Sequence, residues 1–278
     1  MDAEQSDAQR AVNFFSRILS EKYNREYNSE YCSTQLRQPI SITYDEGIGS
    51  EVFQDNDDYK PLIYNTYQMY LVKGQSYLQE DIEHSRRQRY RLGIKLVRGA
   101  YIRSERQREE STGNTILHGS KLEVDQAYNN VLSSILGLMA KRRSSKIGAI
   151  EGTSMYVGAS DKDRNRAITH SLFCPGHSGH DNEVNLSLLI ATHNAQSVLT
   201  AVDCMKELSL PRDFPRVEFA QIYGMADQIT YSLSNQGFNV YKLVPFGPFE
   251  QLFPWLLRRL EENQVRSSGR LLVVDVRV

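Results

Sequence analysis

Two arginines stand side by side near the end of the chain, in PFEQLFPWLLRRLEEN, with a glutamate just behind them. At helical spacing Trp255, Arg258, Arg259 and Glu262 fall on one stripe, at i, i+3, i+4 and i+7. A guanidinium can fork a carboxylate through two parallel hydrogen bonds, and an acidic neighbour can hold its rotamer. The group could therefore hold an organic anion beside an indole. It could equally be a solvated face with an Arg258–Glu262 ion pair, and the helix alone does not separate the two.

Two more clusters could do chemistry. ATHN at 191–194 sets Thr192, His193 and Asn194 in a row where an apolar run ends, which suits a polar cofactor or a locally satisfied histidine. In KLVRGAY at 95–101, strand alternation puts Lys95 and Val97 on one face and Arg98 on the other. A lysine on an interior face would meet an electron-rich or anionic group, and Gly99 would admit a close backbone approach. Cys174, His177 and His180 in CPGHSGH are zinc-type ligands without a fourth at a familiar spacing, so no metal is expected.

The elements that must position these groups alternate. Val12, Phe15 and Leu19 share a helical face and predict a first helix with that face inward, beside Ala8 and Ala11. Residues 25–59 and 144–183 read as two polar insertions. Strands are expected around IYNTYQ, GIKLV, NLSLLIA, VEFAQI and NVYKL, with helices between them and a long amphipathic helix over 121–143. SERQREES reads as a polar helix start or a loop. Strand and helix in alternation predict a parallel α/β fold. Polar or glycine groups close each strand: NTYQ, KLVRGAY, ATHN, AQIYGM and KLVPFG. A barrel with its site at the strand C-termini predicts this. A doubly wound nucleotide-binding sheet would want a GxGxxG or GxxxxGK[ST] loop, and the sequence has neither.

Lys plus Arg number 33 and Asp plus Glu 34 in 278 residues, a balance that argues against a general nucleic-acid surface. Three dispersed cysteines, Cys32, Cys174 and Cys204, fit a reducing compartment better than a disulfide scaffold. No run of 18 apolar residues occurs.

Taken in order, DAEQ (2–5), IYNTYQMYL (63–71), KLVRGAYIRSER (95–106), ATHN (191–194), AQIYGMADQITYSL (220–233) and YKLVPFGPFEQLFPWLLRRLEEN (241–263) resemble the proline dehydrogenases, closest to the eukaryotic mitochondrial branch. The resemblance implies a (β/α)8 TIM-like barrel over 1–264, followed by an atypical tail at 265–278. It implies that the first strand, with a substrate-binding lysine, and most of the second lie before DAEQ in the family, so this chain is expected to form an incomplete barrel. The activity implied is FAD-dependent oxidation of L-proline to 1-pyrroline-5-carboxylate. Electrons would go to a membrane quinone, with peripheral association on the matrix side of the mitochondrial inner membrane, although no presequence is visible.

By the same resemblance, Arg258 and Arg259 clamp the substrate carboxylate, Glu262 is their acidic partner and Asp2 organises the pocket. Lys95 faces the flavin N5 edge. Asn65 lies near the flavin; Val97, Gly99 and Ala100 line it; Thr192, His193 and Asn194 hold FAD; and Ile222 is an apolar wall. The family pattern departs at Leu243 and Trp255, which stand where family members carry pocket tyrosines. Three other readings remain: a related cyclic amino acid such as hydroxyproline as substrate, a non-catalytic paralogue, and a lyase using Lys95 as a Schiff-base amine.

Overall fold

Leu92, Ile94 and Leu96 recur at every second position, and so do Leu186, Leu188 and Ile190; all six are buried. That period of two makes strands, and each such side chain removed from water contributes roughly 1.5–3 kcal/mol. The computed structural model describes residues 1–3, 5–25, 60–151 and 184–264, with side chains up to 144 and 257 in the last two stretches. Five strands run through it: β1 (Tyr64–Gln68), β2 (Leu92–Val97), β3 (Leu186–Ala191), β4 (Val217–Ile222) and β5 (Val240–Leu243). The helices are α1 (Gln9–Tyr23), α2 (Gly74–Gln88), α3 (Ile102–Thr112), α4 (Lys121–Glu151), α5 (Ala195–Glu207), α6 (Asp227–Asn235) and α7 (Phe249–Gln264).

The sheet is parallel throughout and its order is β1-β2-β3-β4-β5, so neighbours in sequence are neighbours in space. A doubly wound sheet would reverse direction partway; this one does not. Right-handed crossovers in such an order put the covering helices on one face. That face holds the core, including Ile94, Leu96, Leu188, Ile190 and Phe219 from the strands and Tyr128, Val131 and Ile135 from α4. The other face is barer: Lys95, Val97, Ala191, Ala220 and Ile222 are only half-buried and Leu243 is exposed, although Thr66, Gln68, Ser187 and Glu218 on it are buried. The singly wound α/β succession expected from the sequence is present over five strands, while the sheet stays open, with β1 and β5 as its edges among the described residues.

The first helix is rotated about its axis relative to expectation, so that Val12 and Leu19 are only half-buried and Ala8, Ala11 and Phe15 are exposed. Gln9, Asn13, Ser16 and Ser20 are buried, while Phe14, Phe15 and Ile18 face outward. The cause is a polar network no local pattern announces. Asn13 Oδ1 accepts from Gln9 Nε2 (2.8 Å) and Asn65 Nδ2 (3.1 Å), and Gln9 Oε1 accepts from Gln68 Nε2 (3.2 Å). Arg17 pairs with buried Asp81, which also accepts from the Tyr67 hydroxyl at 2.6 Å. Buried amides and carboxylates must be satisfied, and here that requirement outranks the apolar stripe.

Three other readings change. SERQREES is helical, as part of α3. The long helix runs to Glu151, past the expected stop at 143. The apolar stripe of α7 is exposed at Phe249, Phe253 and Leu256. Residues 26–59, 152–183 and 265–278, with Cys32, Cys174, His177 and His180, lie outside the described residues. Among the described residues no cluster could hold a metal ion, and no helix is long and apolar enough to cross a membrane.

Candidate active site

The barer face is where side chains of odd number in β2 and β3 point, and of even number in β4. At the C-terminal half this brings Val97, Ala191 and Ala220 onto three successive strands, with Ala191 in register with Ala220 and Val97 with Gln68. Small, accessible side chains on adjacent strands make a flat apolar shelf. Lys95 stands on the same face, one pleat below Val97, in register with Thr66 and Leu189.

Beside the shelf, against β1 and β2, runs the N-terminal segment, and it brings two expected residues together: Lys95 Nζ forms an ion pair with Asp2 Oδ1. Burial opposes ionisation of Asp2, but the hydrogen bond and charge of Lys95, with the charge of the N-terminal ammonium, together outweigh it and hold the carboxyl below its ordinary value. The segment is fastened at further points. The Thr66 hydroxyl donates to the Met1 carbonyl at 2.7 Å. Glu105 of α3, almost fully buried, accepts from Ser6 N and Ser6 Oγ, both at 2.6 Å. Arg108, one turn on, donates to Asp7 Oδ2 at 2.6 Å. KLVRGAYIRSER therefore supplies both the lysine and the carboxylate that grips the segment carrying Asp2. Glu105 was not singled out in the sequence; its position three residues before Arg108 on a polar helix was the only local signal.

The ATHN corner follows β3. Asn194 Oδ1 caps α5 by accepting from Ser197 N at 3.1 Å. His193 Nε2 accepts from Ile222 N at 3.0 Å, which puts the proton of a neutral ring on Nδ1. Thr192 Oγ1 accepts from Asn194 N at 3.1 Å and from Arg98 Nη1 at 2.9 Å. These acceptors build the corner and fix what it presents. At the next corner Lys242 Nζ donates to Met225 O (3.0 Å) and Asp227 Oδ1 (2.5 Å), tying the turn after Ile222 to β5.

Two expected residues sit differently. Asn65 shares strand parity with Tyr67, so its side chain lies on the helix-covered face; its amide donates to Asn13 and Asp81 and its Oδ1 accepts from Thr66 N. Its side chain therefore serves the core network. Gly99 has φ +140°, and a Cβ there would lie 2.2 Å from the Tyr70 ring, so the close approach it permits is to Tyr70. Ala100 is half-buried just beyond. Leu243, in register with Ile222, ends β5 on the barer face. Trp255 is half-buried on α7, whereas Arg258, Arg259 and Glu262 fall on that helix beyond its described side chains.

The donor set can be matched to a flavin. A planar heteroaromatic ring needs a flat apolar floor, and Val97, Ala191 and Ala220 make one. Its reduced form carries negative charge, and Lys95 supplies a cation beside that floor. Val97, Ala191, Ala220 and Lys95 fit the group, whereas the Asn65 side chain and the close approach permitted by Gly99 are directed elsewhere.

Residues 1–270 match the family model described as proline dehydrogenase. Among curated relatives, "Proline dehydrogenase 1, mitochondrial" of Dictyostelium discoideum is 29% identical over 268 residues, 95% of this chain and 34% of that protein. "Hydroxyproline dehydrogenase" of Xenopus laevis is 30% identical over 212 residues, 76% of this chain and 37% of that protein. The chain thus spans about a third of the length of the curated relatives it matches. The crystal structure of proline utilization A from Bdellovibrio bacteriovorus, inactivated by N-propargylglycine, superposes with a TM-score of 0.59 at 17% identity. It covers 94% of this chain and 19% of the other, a likeness of fold.

Proposed function

The chain belongs to the proline dehydrogenase family, and from that premise we propose that it forms an FAD-binding site that oxidises L-proline to 1-pyrroline-5-carboxylate. The observation that carries the reading is the Lys95–Asp2 pair standing beside the Val97, Ala191 and Ala220 shelf at the strand C-termini. FAD, when bound, supplies the hydride acceptor. In the net reaction a hydride leaves a ring carbon next to nitrogen, a proton leaves the nitrogen and a C=N bond forms.

The chain's own residues bind, orient and neutralise. Lys95 offsets the negative charge of the reduced cofactor, and Asp2, held ionised by Lys95, fixes the direction of that ammonium. Val97, Gly99 and Ala100 line the cofactor through backbone and small side chains, and the ATHN corner holds its polar parts. Arg258 and Arg259 grip the substrate carboxylate and Glu262 holds their rotamers, a role motivated by their i, i+1, i+4 spacing. Leu243 and Trp255 form apolar walls around the substrate ring. Electrons then pass to a quinone at the inner mitochondrial membrane, in keeping with the mitochondrial names of the relatives.

Expression of the chain with FAD, followed by anaerobic addition of L-proline, tests this. The expected result is a bound flavin whose visible absorption bleaches with proline. Bound flavin that no cyclic amino acid bleaches rejects the activity and leaves a non-catalytic paralogue. One observation favours a second substrate: Leu243 offers an exposed hydrocarbon wall where the resemblance implies a tyrosine, and one relative is named a hydroxyproline dehydrogenase. Faster bleaching by hydroxyproline than by proline would select that reading.

A further inference from the structure

Arg98 lies on the helix-covered side of the strand end, opposite Lys95, and no part of the reading above uses it. Its guanidinium is nevertheless the most heavily engaged charge near the site. Nε donates to Asp125 Oδ1 at 2.8 Å, Nη1 to Thr192 Oγ1 at 2.9 Å and Nη2 to Ser197 Oγ at 2.8 Å. Nη2 also lies 2.8 Å from Asp125 Oδ1, and the guanidinium carbon is 4.4 Å from the centre of the Tyr128 ring. One side chain therefore joins the end of β2, α4, the end of β3 and the first turn of α5.

These bonds close a circuit. Arg98 Nη1 donates to Thr192 Oγ1, which also accepts from Asn194 N; Asn194 Oδ1 accepts from Ser197 N; and Ser197 Oγ accepts from Arg98 Nη2 while donating to Asn129 Oδ1 at 2.6 Å. His193 sits inside this circuit, pinned from the next strand by Ile222 N. We propose that Arg98 is a positioning residue that sets the ATHN corner for the cofactor, acting through Thr192 and Ser197. The role rests on the FAD reading above. Only a planar fork with donors on three nitrogens can span these acceptors, so lysine cannot replace it in full.

Asp125 serves the guanidinium from behind. Its carboxyl is opposed by burial but held below its ordinary value by Lys121 and Arg98. It touches neither Thr192 nor Asn194 in the circuit, which provides a control: removing its charge loosens Arg98 without removing either corner contact.

The test compares FAD affinity, from quenching of flavin fluorescence on titration into apoprotein, with the melting temperature of the same apoprotein. In R98Q the dissociation constant should rise about tenfold or more, the equivalent of one charge-assisted hydrogen bond. R98K should recover part of that loss. D125N should bind FAD within about threefold of wild type although its melting temperature falls. If R98Q does not fold, S197A carries the comparison, because it removes one acceptor of the circuit and should weaken FAD without a matching loss of stability. Unchanged affinity in R98Q or S197A overturns the proposal. So does a series in which affinity simply follows melting temperature, D125N included. A wild-type chain that binds no FAD overturns the FAD reading first and this role with it, which is a different outcome from a binding wild type with indifferent variants.

Discussion

Lys95 and Asp2 show how a single pair carries a checkable electrostatic claim. The Asp2 carboxyl feels burial, which raises its pKa, and Lys95 with the N-terminal ammonium, which together lower it by more. Its contribution to stability is therefore present above the ordinary carboxylate range and lost as pH falls through the lowered folded value. Removing the lysine leaves burial unopposed by it. In K95M the Asp2 carboxyl should titrate higher than in wild type, followed by NMR of the labelled side chain; an unmoved titration would show that the pair does not persist in solution. Cys204 gives a second residue-scale prediction. Burial pushes its thiol up to about 11, so little thiolate exists at neutral pH. In a C32S/C174S background, alkylation of native protein at neutral pH should be far slower than of unfolded protein. Stability should also decline as pH climbs from the ordinary thiol range toward that value, because the unfolded chain ionises first.

Elements are set by what their buried faces can satisfy. Asn13→Ala removes an acceptor that two buried amides use, and should cost about 2 kcal/mol or more in urea unfolding. Phe15→Ala, on the exposed face, should stay within about 0.5 kcal/mol. The reverse ranking would mean that α1 sits with its apolar stripe inward. Gly74 opens α2, and a Cβ there would come within 2.2 Å of the Gln68 carbonyl oxygen. G74A should destabilise the fold despite alanine's advantage of about 1 kcal/mol in a helix. The contrast also marks what the sequence made legible. Leu92, Ile94 and Leu96 announce a strand by themselves, because their partner is any apolar layer. The orientation of α1 depends on Asn65, Gln68 and Asp81, which lie far along the chain, so its own periodicity pointed the wrong way. Asn65 was open to correction from its neighbours alone: it shares parity with Tyr67, a large aromatic that belongs to the core. The Lys95 face followed from alternation, whereas Asp2 was singled out only through the family resemblance and its contact with Lys95 required the fold. Arg98 was placed on the right face, but its four-element circuit required the fold.

At the scale of the molecule, protection from solvent is uneven and the site lies on one end of it. Ile94, Leu96, Leu188 and Ile190 of the inner strands are wholly buried, while β5 exposes Tyr241 and Leu243 by about half. Opening free energies follow local burial and pairing. Amide hydrogen exchange should therefore be slowest in β2 and β3 and much faster in β5 and α7. The βα corners at 97–101, 192–194 and 222–226 lie at the strand C-termini, and the αβ connection at 208–216 lies at the opposite end. A ligand seated on the Val97, Ala191 and Ala220 shelf can stabilise directly only the corners it touches, and adds RT ln(1 + [L]/Kd) to whatever opens globally. Adding FAD at a concentration well above its dissociation constant should slow exchange at 97–101 and 192–194 by more than this uniform global amount. The 208–216 connection should gain the global amount alone. Equal added protection at both ends would mean that binding acts only through global stability, and extra protection confined to 208–216 would move the cofactor to the opposite end of the sheet.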